Sequence, residues 1–189
     1  MRIDINQKKI AFGNKFTIVR NGETILRAAS KLFRILSVTE LFQLNSELPW
    51  GTIRRRLAFF NAKYDIEIMN QPTFHFNTIS WWKNHHQCKA GNNTYDVYGH
   101  RGRKYSIFKN GEQIAYFNKE AVTFFEGDNY MLQTNDDADH FLLVCIVLTI
   151  DNYRSNNKND SAINIDIGHI FQAKKFDQSW QPKVSQNKY

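Results

Sequence analysis

Phe16-Thr17-Ile18-Val19-Arg20-Asn21-Gly22-Glu23 and Tyr105-Ser106-Ile107-Phe108-Lys109-Asn110-Gly111-Glu112 are two copies of one short pattern. Each runs aromatic and β-branched residues into Asn-Gly and returns through Ile25-Leu26 or Ile114-Ala115. Asn-Gly tolerates positive φ at both central positions of the tight turn whose twist matches the strands it joins. A single match says little. Two copies with the same flanks point to a duplicated β-meander.

Further strand candidates lie around these hairpins. Leu32 to Val38, Arg54 to Phe60, Tyr64 to Met69, Thr73 to Ile79, Tyr95 to Tyr98, Ala121 to Phe125 and Tyr130 to Gln133 are short and rich in aromatic and β-branched residues. Asn70-Gln71-Pro72, Gly91-Asn92-Asn93, Gly99-His100-Arg101-Gly102 and Glu126-Gly127-Asp128-Asn129 separate them with turn chemistry. Short strands at this spacing favour a barrel or sandwich over a parallel α/β sheet. Thr39 to Leu48 could form a short helix, and the polar, His-rich stretch from Ser80 to Asn93 reads as a loop.

Phe141-Leu142-Leu143-Val144-Cys145-Ile146-Val147-Leu148-Thr149-Ile150-Asp151 breaks the pattern. It has no polar face at helical or strand period, so it must be buried all round. The preceding Asp136-Asp137-Ala138-Asp139-His140 suits a helix N-terminus, where carboxylates meet the positive end of the dipole. That cluster and the length favour a helix, while the Val and Ile content also permits a central strand. Beyond Tyr153, residues 154–161 form a polar linker. The stretches from Ala162 to Ile170 and from Phe171 to Trp180 could add a strand or a docked helix, and Gln181 to Tyr189 reads as frayed.

The 189 residues suit one domain, or one domain with a tail. Fifteen Phe, eight Tyr and four Trp against three Pro agree with β-structure. The two cysteines cannot form a disulfide framework, and Cys145 reads as a small hydrophobe within the apolar run. The first residues carry charge where a secretion signal needs an apolar core, and the Phe141 to Leu148 run is too short to span a bilayer. A reducing, cytoplasmic setting, peripheral to a membrane, is the expectation. The net charge of +7 is uneven: residues 1–104 hold 17 Lys/Arg against 7 Asp/Glu, and residues 105–189 hold 8 against 11. Such a balance speaks to anionic partners, not to fold.

Taken in order, Tyr95-Asp96-Val97-Tyr98-Gly99, Tyr105-Ser106-Ile107, Asn110-Gly111-Glu112-Gln113-Ile114-Ala115, Asp128-Asn129-Tyr130 and Asp139 to Asp151 resemble the tubby C-terminal-like superfamily. The likeness is to its LURP-one-related and phospholipid-scramblase-like branch. The resemblance implies a mainly β fold: a closed antiparallel barrel of two similar halves around a central hydrophobic helix. In that reading residues 1–153 form the barrel domain, with the helix at about 138–152, and residues 154–189 form a linker and tail. Members of the superfamily are assigned roles as different as phosphoinositide binding and scramblase-related membrane function, so the resemblance leaves the ligand open.

The residues that could bind are few. Arg54-Arg55-Arg56 is the densest positive charge; on a strand, Arg54 and Arg56 share one face and Arg55 takes the other. It is either a phosphate contact or a solvated strand face. His100-Arg101-Gly102-Arg103-Lys104 is a basic turn that could hold a phosphate through side chains and backbone N–H groups, or an ordinary hairpin loop. It is no nucleotide P-loop, because no helix follows it. Trp81-Trp82 beside Lys83 suits a membrane interface or a base-stacking surface; alternatively one Trp is core and the other covers a barrel rim. His85, His86 and Cys88 lack the second ligand cluster that a structural zinc needs, and nothing spells a catalytic nucleophile with its base. No cofactor is expected.

These readings lead to a non-enzymatic binding module for anionic phosphate groups, most naturally lipid headgroups at a membrane surface. Arg54, Arg56, Arg101, Arg103 and Lys104 are its phosphate contacts, and Trp81 and Trp82 its membrane contacts. The alternatives are a structural or protein-interaction domain without a small ligand, and a nucleic-acid-binding protein.

Overall fold

The computed structural model describes residues 1–10, 13–31, 37–57, 62–119, 129–157 and 173–184. Among these are twelve strands: β1 (Arg2–Ile10), β2 (Gly13–Arg20), β3 (Glu23–Lys31), β4 (Val38–Gln43), β5 (Gly51–Arg56), β6 (Lys63–Ile68), β7 (Phe74–Ser80), β8 (His85–Ala90), β9 (Asn93–His100), β10 (Lys104–Lys109), β11 (Glu112–Lys119) and β12 (Asn129–Thr134). One helix, α1 (His140–Asn157), follows. Every strand pairs antiparallel with its neighbours in sequence, and β1 closes the barrel against β12 through Ile3 opposite Leu132.

Both Asn-Gly hairpins form as the sequence predicts. Asn21 and Gly22 join β2 to β3 at φ 53° and 82°, and Asn110 and Gly111 join β10 to β11 at 49° and 91°. Even their irregularities correspond, for the pairing register shifts between Ile18 and Val19 in one and between Ile107 and Phe108 in the other. If the two copies marked corresponding hairpins of two similar halves, they would stand half a turn apart, and they do not. A half-turn of a twelve-stranded barrel advances six strands, whereas β2 and β10 stand four apart one way and eight the other. The hairpin six strands on from β2–β3 is β8–β9, which turns at Gly91 and Asn92.

Strand alternation sends one side chain of each pair to the interior. Ile3, Ile5, Ile18, Leu26, Leu41, Ile53, Ile66, Phe76, Val97, Ile107, Phe117 and Leu132 form a continuous lining against α1. Leu142 to Ile150 of the helix is buried throughout, so the barrel is filled rather than hollow. The helix choice is the correct one, and its start has a clear cause: Leu142 N–H donates to Asp139 Oδ1 at 3.0 Å, making Asp139 the N-cap. Asp136 has another task, an ion pair with the Met1 amine at 3.1 Å. The helix runs from His140 to Asn157, past the expected end near 152.

Two expectations are overturned. Thr39 to Leu48 contains no helix: β4 occupies Val38–Gln43, with Thr39 and Leu41 buried on alternation. The Ser80 to Asn93 stretch is not a loop, because β8 runs through it with His86, Cys88 and Ala90 facing inward. Of the strand candidates, the one over Ala121 to Phe125 lies outside the described residues, as do most of Leu32 to Val38 and the last part of Arg54 to Phe60. Of the expected polar linker, residues 154–157 belong to α1 and the other half lies outside the described residues, as do most of the elements sought between Ala162 and Trp180.

Candidate functional site

The antiparallel order sorts every connection to one of two ends. The Asn-Gly turns, the β4–β5, β6–β7 and β8–β9 connections and the start of α1 share one end. The ends of β1, β3, β5, β7, β9 and β11 and the starts of β2, β4, β6, β8, β10 and β12 share the other, where α1 leaves the barrel.

That exit end is lined inside by a polar belt. Asp151, buried near the end of the helix, accepts hydrogen bonds from Gln7 Nε2 at 3.3 Å and from the Tyr130 hydroxyl. Asn152 Nδ2 donates to Thr39 Oγ1 at 2.8 Å, and Arg154 Nη1 to the Tyr105 hydroxyl at 2.7 Å. His86 is fully buried between Thr78 and Asn84, at 3.1 Å from each, with Tyr153 edge-on at 4.9 Å. Burial first, then the nearby charges of His85 and Arg154, push its pKa down to about 3. The helix is therefore fixed at its exit by polar contacts with β1, β4, β10 and β12 and by the Tyr153 ring against His86 of β8.

All seven residues singled out in the sequence fall at this exit end. Arg54 and Arg56 stand exposed on the outer face of β5, and half-buried Arg55 takes the opposite face, as strand alternation requires. Arg54 pairs with Glu67 at 3.7 Å and Arg56 with Asp65 at 3.6 Å. Arg101 and Arg103 are exposed in the β9–β10 turn and make no ion pair with another described residue. Lys104 is different: its Nζ lies 5.3 Å from the centroid of the Phe176 ring of the C-terminal segment.

Trp81 and Trp82 occupy a four-residue turn between β7 and β8 and are 64% and 41% exposed. The one-in, one-out arrangement does not occur, because this stretch is a turn and not a strand. Lys83 Nζ sits 4.7 Å over the Trp82 ring. The turn is anchored behind the tryptophans. Gly99 N–H donates to Asn84 O at 2.8 Å, and a Cβ on Gly99 would fall 1.8 Å from Asn84 Nδ2. A side chain at position 99 would thus evict Asn84, whose Oδ1 meets His86 Nε2.

The structure adds rim residues that sequence reading missed. Lys8 and Lys9 end β1, Lys15 lies at the start of β2, and Lys63 opens β6, all exposed. Lys8 is directly opposite Lys15, and Arg56 directly opposite Lys63. Like charges facing each other across a ladder are destabilising. The exposed apolar residues Ile10, Leu57 and Ile79 stand at the same end, with the two tryptophans. The signal was present in the sequence as cations beside alternate turns, but only the strand order shows that those turns share an end.

Among the described residues no group of three or more His, Cys, Asp or Glu could hold a metal. His85 Nε2 donates instead to Asp96 Oδ1 at 2.9 Å, and Gln87 Nε2 to the same oxygen at 2.8 Å. Burial pushes the Cys88 thiol up to about 12 and Cys145 higher still. Among the described residues no helix is long and apolar enough to cross a membrane.

The family model described as LURP-one-related matches residues 1–151. No curated protein and no solved structure matches the chain. The chain belongs to the LURP-one-related family, within the tubby-like superfamily.

Proposed function

We propose that this LURP-one-related barrel binds an anionic phospholipid surface end-on, through the rim where α1 emerges, and that it does so without catalysing a reaction. One observation carries the reading. Lys8 against Lys15 and Arg56 against Lys63 hold like charges together on a rim that also exposes Ile10, Leu57, Ile79, Trp81 and Trp82. Cations alone would serve solubility. Cations interleaved with exposed aliphatic and indole groups suit the headgroup boundary, where phosphates meet the Lys and Arg heads and apolar tips enter the acyl edge. Arg54, Arg56, Arg101 and Arg103 would contact phosphates, and Lys104 would join them once clear of Phe176.

Binding without catalysis is supported by the interior. It is filled by α1, and burial keeps His86 neutral and both thiols protonated. A nucleic acid would share the phosphate chemistry and would stack on Trp81 and Trp82, but the aliphatic Ile10, Leu57 and Ile79 beside them offer it nothing and suit a lipid surface.

The test is cosedimentation with phosphatidylcholine vesicles, with and without phosphatidylserine. Binding is expected only with the anionic lipid. Arg101→Gln with Arg103→Gln should weaken it by about 1 kcal/mol per charge removed. Trp81→Ala with Trp82→Ala should weaken it as well. Equal recovery with both vesicle types, or variants that bind like the unaltered protein, would overturn the proposal. Salt-sensitive capture of an oligonucleotide without vesicle binding would favour the nucleic-acid alternative.

A further inference from the structure

Residues 173–184 lie on the outside of the barrel, beyond the span that the family model matches. The segment has no regular structure and pairs with no strand. Its contacts with the described barrel residues are specific. Lys174 Nζ sits over the rings of Phe108 at 3.8 Å and Tyr98 at 5.6 Å. Phe176 meets His100 at 5.1 Å and Tyr116 at 5.5 Å, beneath the Lys104 ammonium. Asp136 N–H donates to Lys183 O at 3.1 Å, Lys183 N–H donates to Asn135 Oδ1 at 2.8 Å, and the Lys183 ammonium pairs with Glu112. A cleft of about 370 Å³ stays open between this segment and Lys104, Tyr116 and Gln133.

The face beneath is unusual for the outside of a barrel. Tyr98, His100, Phe108 and Tyr116 alternate with inward residues of β9, β10 and β11, yet His100 and Phe108 are buried. His100 Nε2 is hydrogen-bonded to Ser106 at 2.7 Å, but its Nδ1 has no hydrogen-bond partner among the described residues. A buried nitrogen without a partner opposes the covered state, because water would satisfy it on release.

We infer that residues 173–184 are a displaceable strap, and that the face under it (Tyr98, His100, Phe108 and Tyr116, with Lys104) is an extension of the membrane-docking rim which an anionic lipid surface uncovers. The inference rests on the membrane reading above. The strap is held by three cation contacts (Lys174 on rings, Phe176 under Lys104, Lys183 on Glu112), by the Phe176 ring against His100 and Tyr116, and by the Lys183 backbone bonds to Asp136 and Asn135. An anionic surface docked at the exit rim competes for Lys104, the strap contact nearest to it, so it binds the released state better and shifts the balance toward it. Release places His100 and Lys104 next to Arg101 and Arg103, with Tyr98, Tyr116 and Phe108 continuing from the rim along the wall toward the entry end.

The experiment uses the full chain with phosphatidylcholine vesicles, with and without phosphatidylserine, and reads backbone hydrogen exchange over residues 173–184. Protection of this segment is expected to fall on anionic vesicles and to hold on neutral ones. Phe176→Ala should expose the segment without vesicles and tighten anionic-vesicle binding several-fold. Glu112→Gln, an exposed change at the far end of the barrel, should do the same more weakly. If the unaltered protein binds anionic vesicles with the segment still protected, the strap proposal fails while the membrane reading stands. The strap proposal also fails, alone, if both variants expose the segment and bind no tighter. If the unaltered protein does not bind anionic vesicles, both readings fall.

Discussion

His86 and His100 face opposite sides of the wall and share one property: both are buried as neutral rings. Burial lowers His86 to about 3 and His100 to about 4, from an ordinary 6.5. In the unfolded chain each takes up a proton near its ordinary pKa, so below 6.5 the unfolded state binds more protons than the native one. Stability therefore falls as pH drops from 6.5 toward 4, at up to roughly 1.4 kcal/mol per pH unit for each histidine. Urea denaturation at pH 7, 6 and 5 is expected to show the decline. His86→Asn, which retains polar groups without titrating there, should flatten the profile even if its stability at pH 7 is lower. Neither histidine's role was legible in the sequence. His86 stood in a polar run whose alternation becomes meaningful only once Cys88 and Ala90 are seen to face inward, and His100 is buried by a segment more than seventy positions away in the chain.

The elements divide by how much of their stability is local. The α1 helix was readable because Leu142 to Ile150 has no polar face, which leaves no position for it but the interior. Its start is a finer matter, since three aspartates precede it and only one caps. Asp139 accepts from Leu142 N–H and from Gln71 Nε2 at 3.2 Å, whereas Asp137 is exposed. Asp139→Ala should therefore destabilise the protein by about 1–2 kcal/mol. Asp137→Ala should stay within about 0.5 kcal/mol, and thermal or urea unfolding of the pair checks the difference. The hairpins at Asn21-Gly22 and Asn110-Gly111 were readable for a local reason as well, the positive φ that their turn demands. Strands β1, β4 and β8 were not, because their inward positions include Gln7, Thr39 and His86. Those polar residues face the belt around the helix exit, so the usual apolar alternation is broken where α1 leaves. The binding candidates were legible as residue types, and their convergence was not, since it depends on which turns share an end.

At the scale of the whole molecule, charge is polarised along the barrel axis. The exit rim gathers Lys8, Lys9, Lys15, Arg54, Arg56, Lys63, Arg101 and Arg103, while Asp136, Asp137 and Asp139 stand where α1 enters. Concentrating cations this way trades stability for attraction. Lys15→Gln, which relieves the repulsion with Lys8, is expected to stabilise the fold by about 0.2–1 kcal/mol and to weaken anionic-vesicle binding, measured by urea unfolding and cosedimentation on the same preparation. A gain in both would argue against a role for the rim. The closed wall has a further consequence, for the order in which the protein can be made. Strand β1 needs β12 as its neighbour, and both need a helix that follows them in the chain. During synthesis the early strands must wait, with Ile3, Ile5 and Ile18 uncovered, until residues through Ile150 have left the ribosome. The nascent chain is thus a natural client for chaperones that hold apolar segments, right up to the moment its last core element appears.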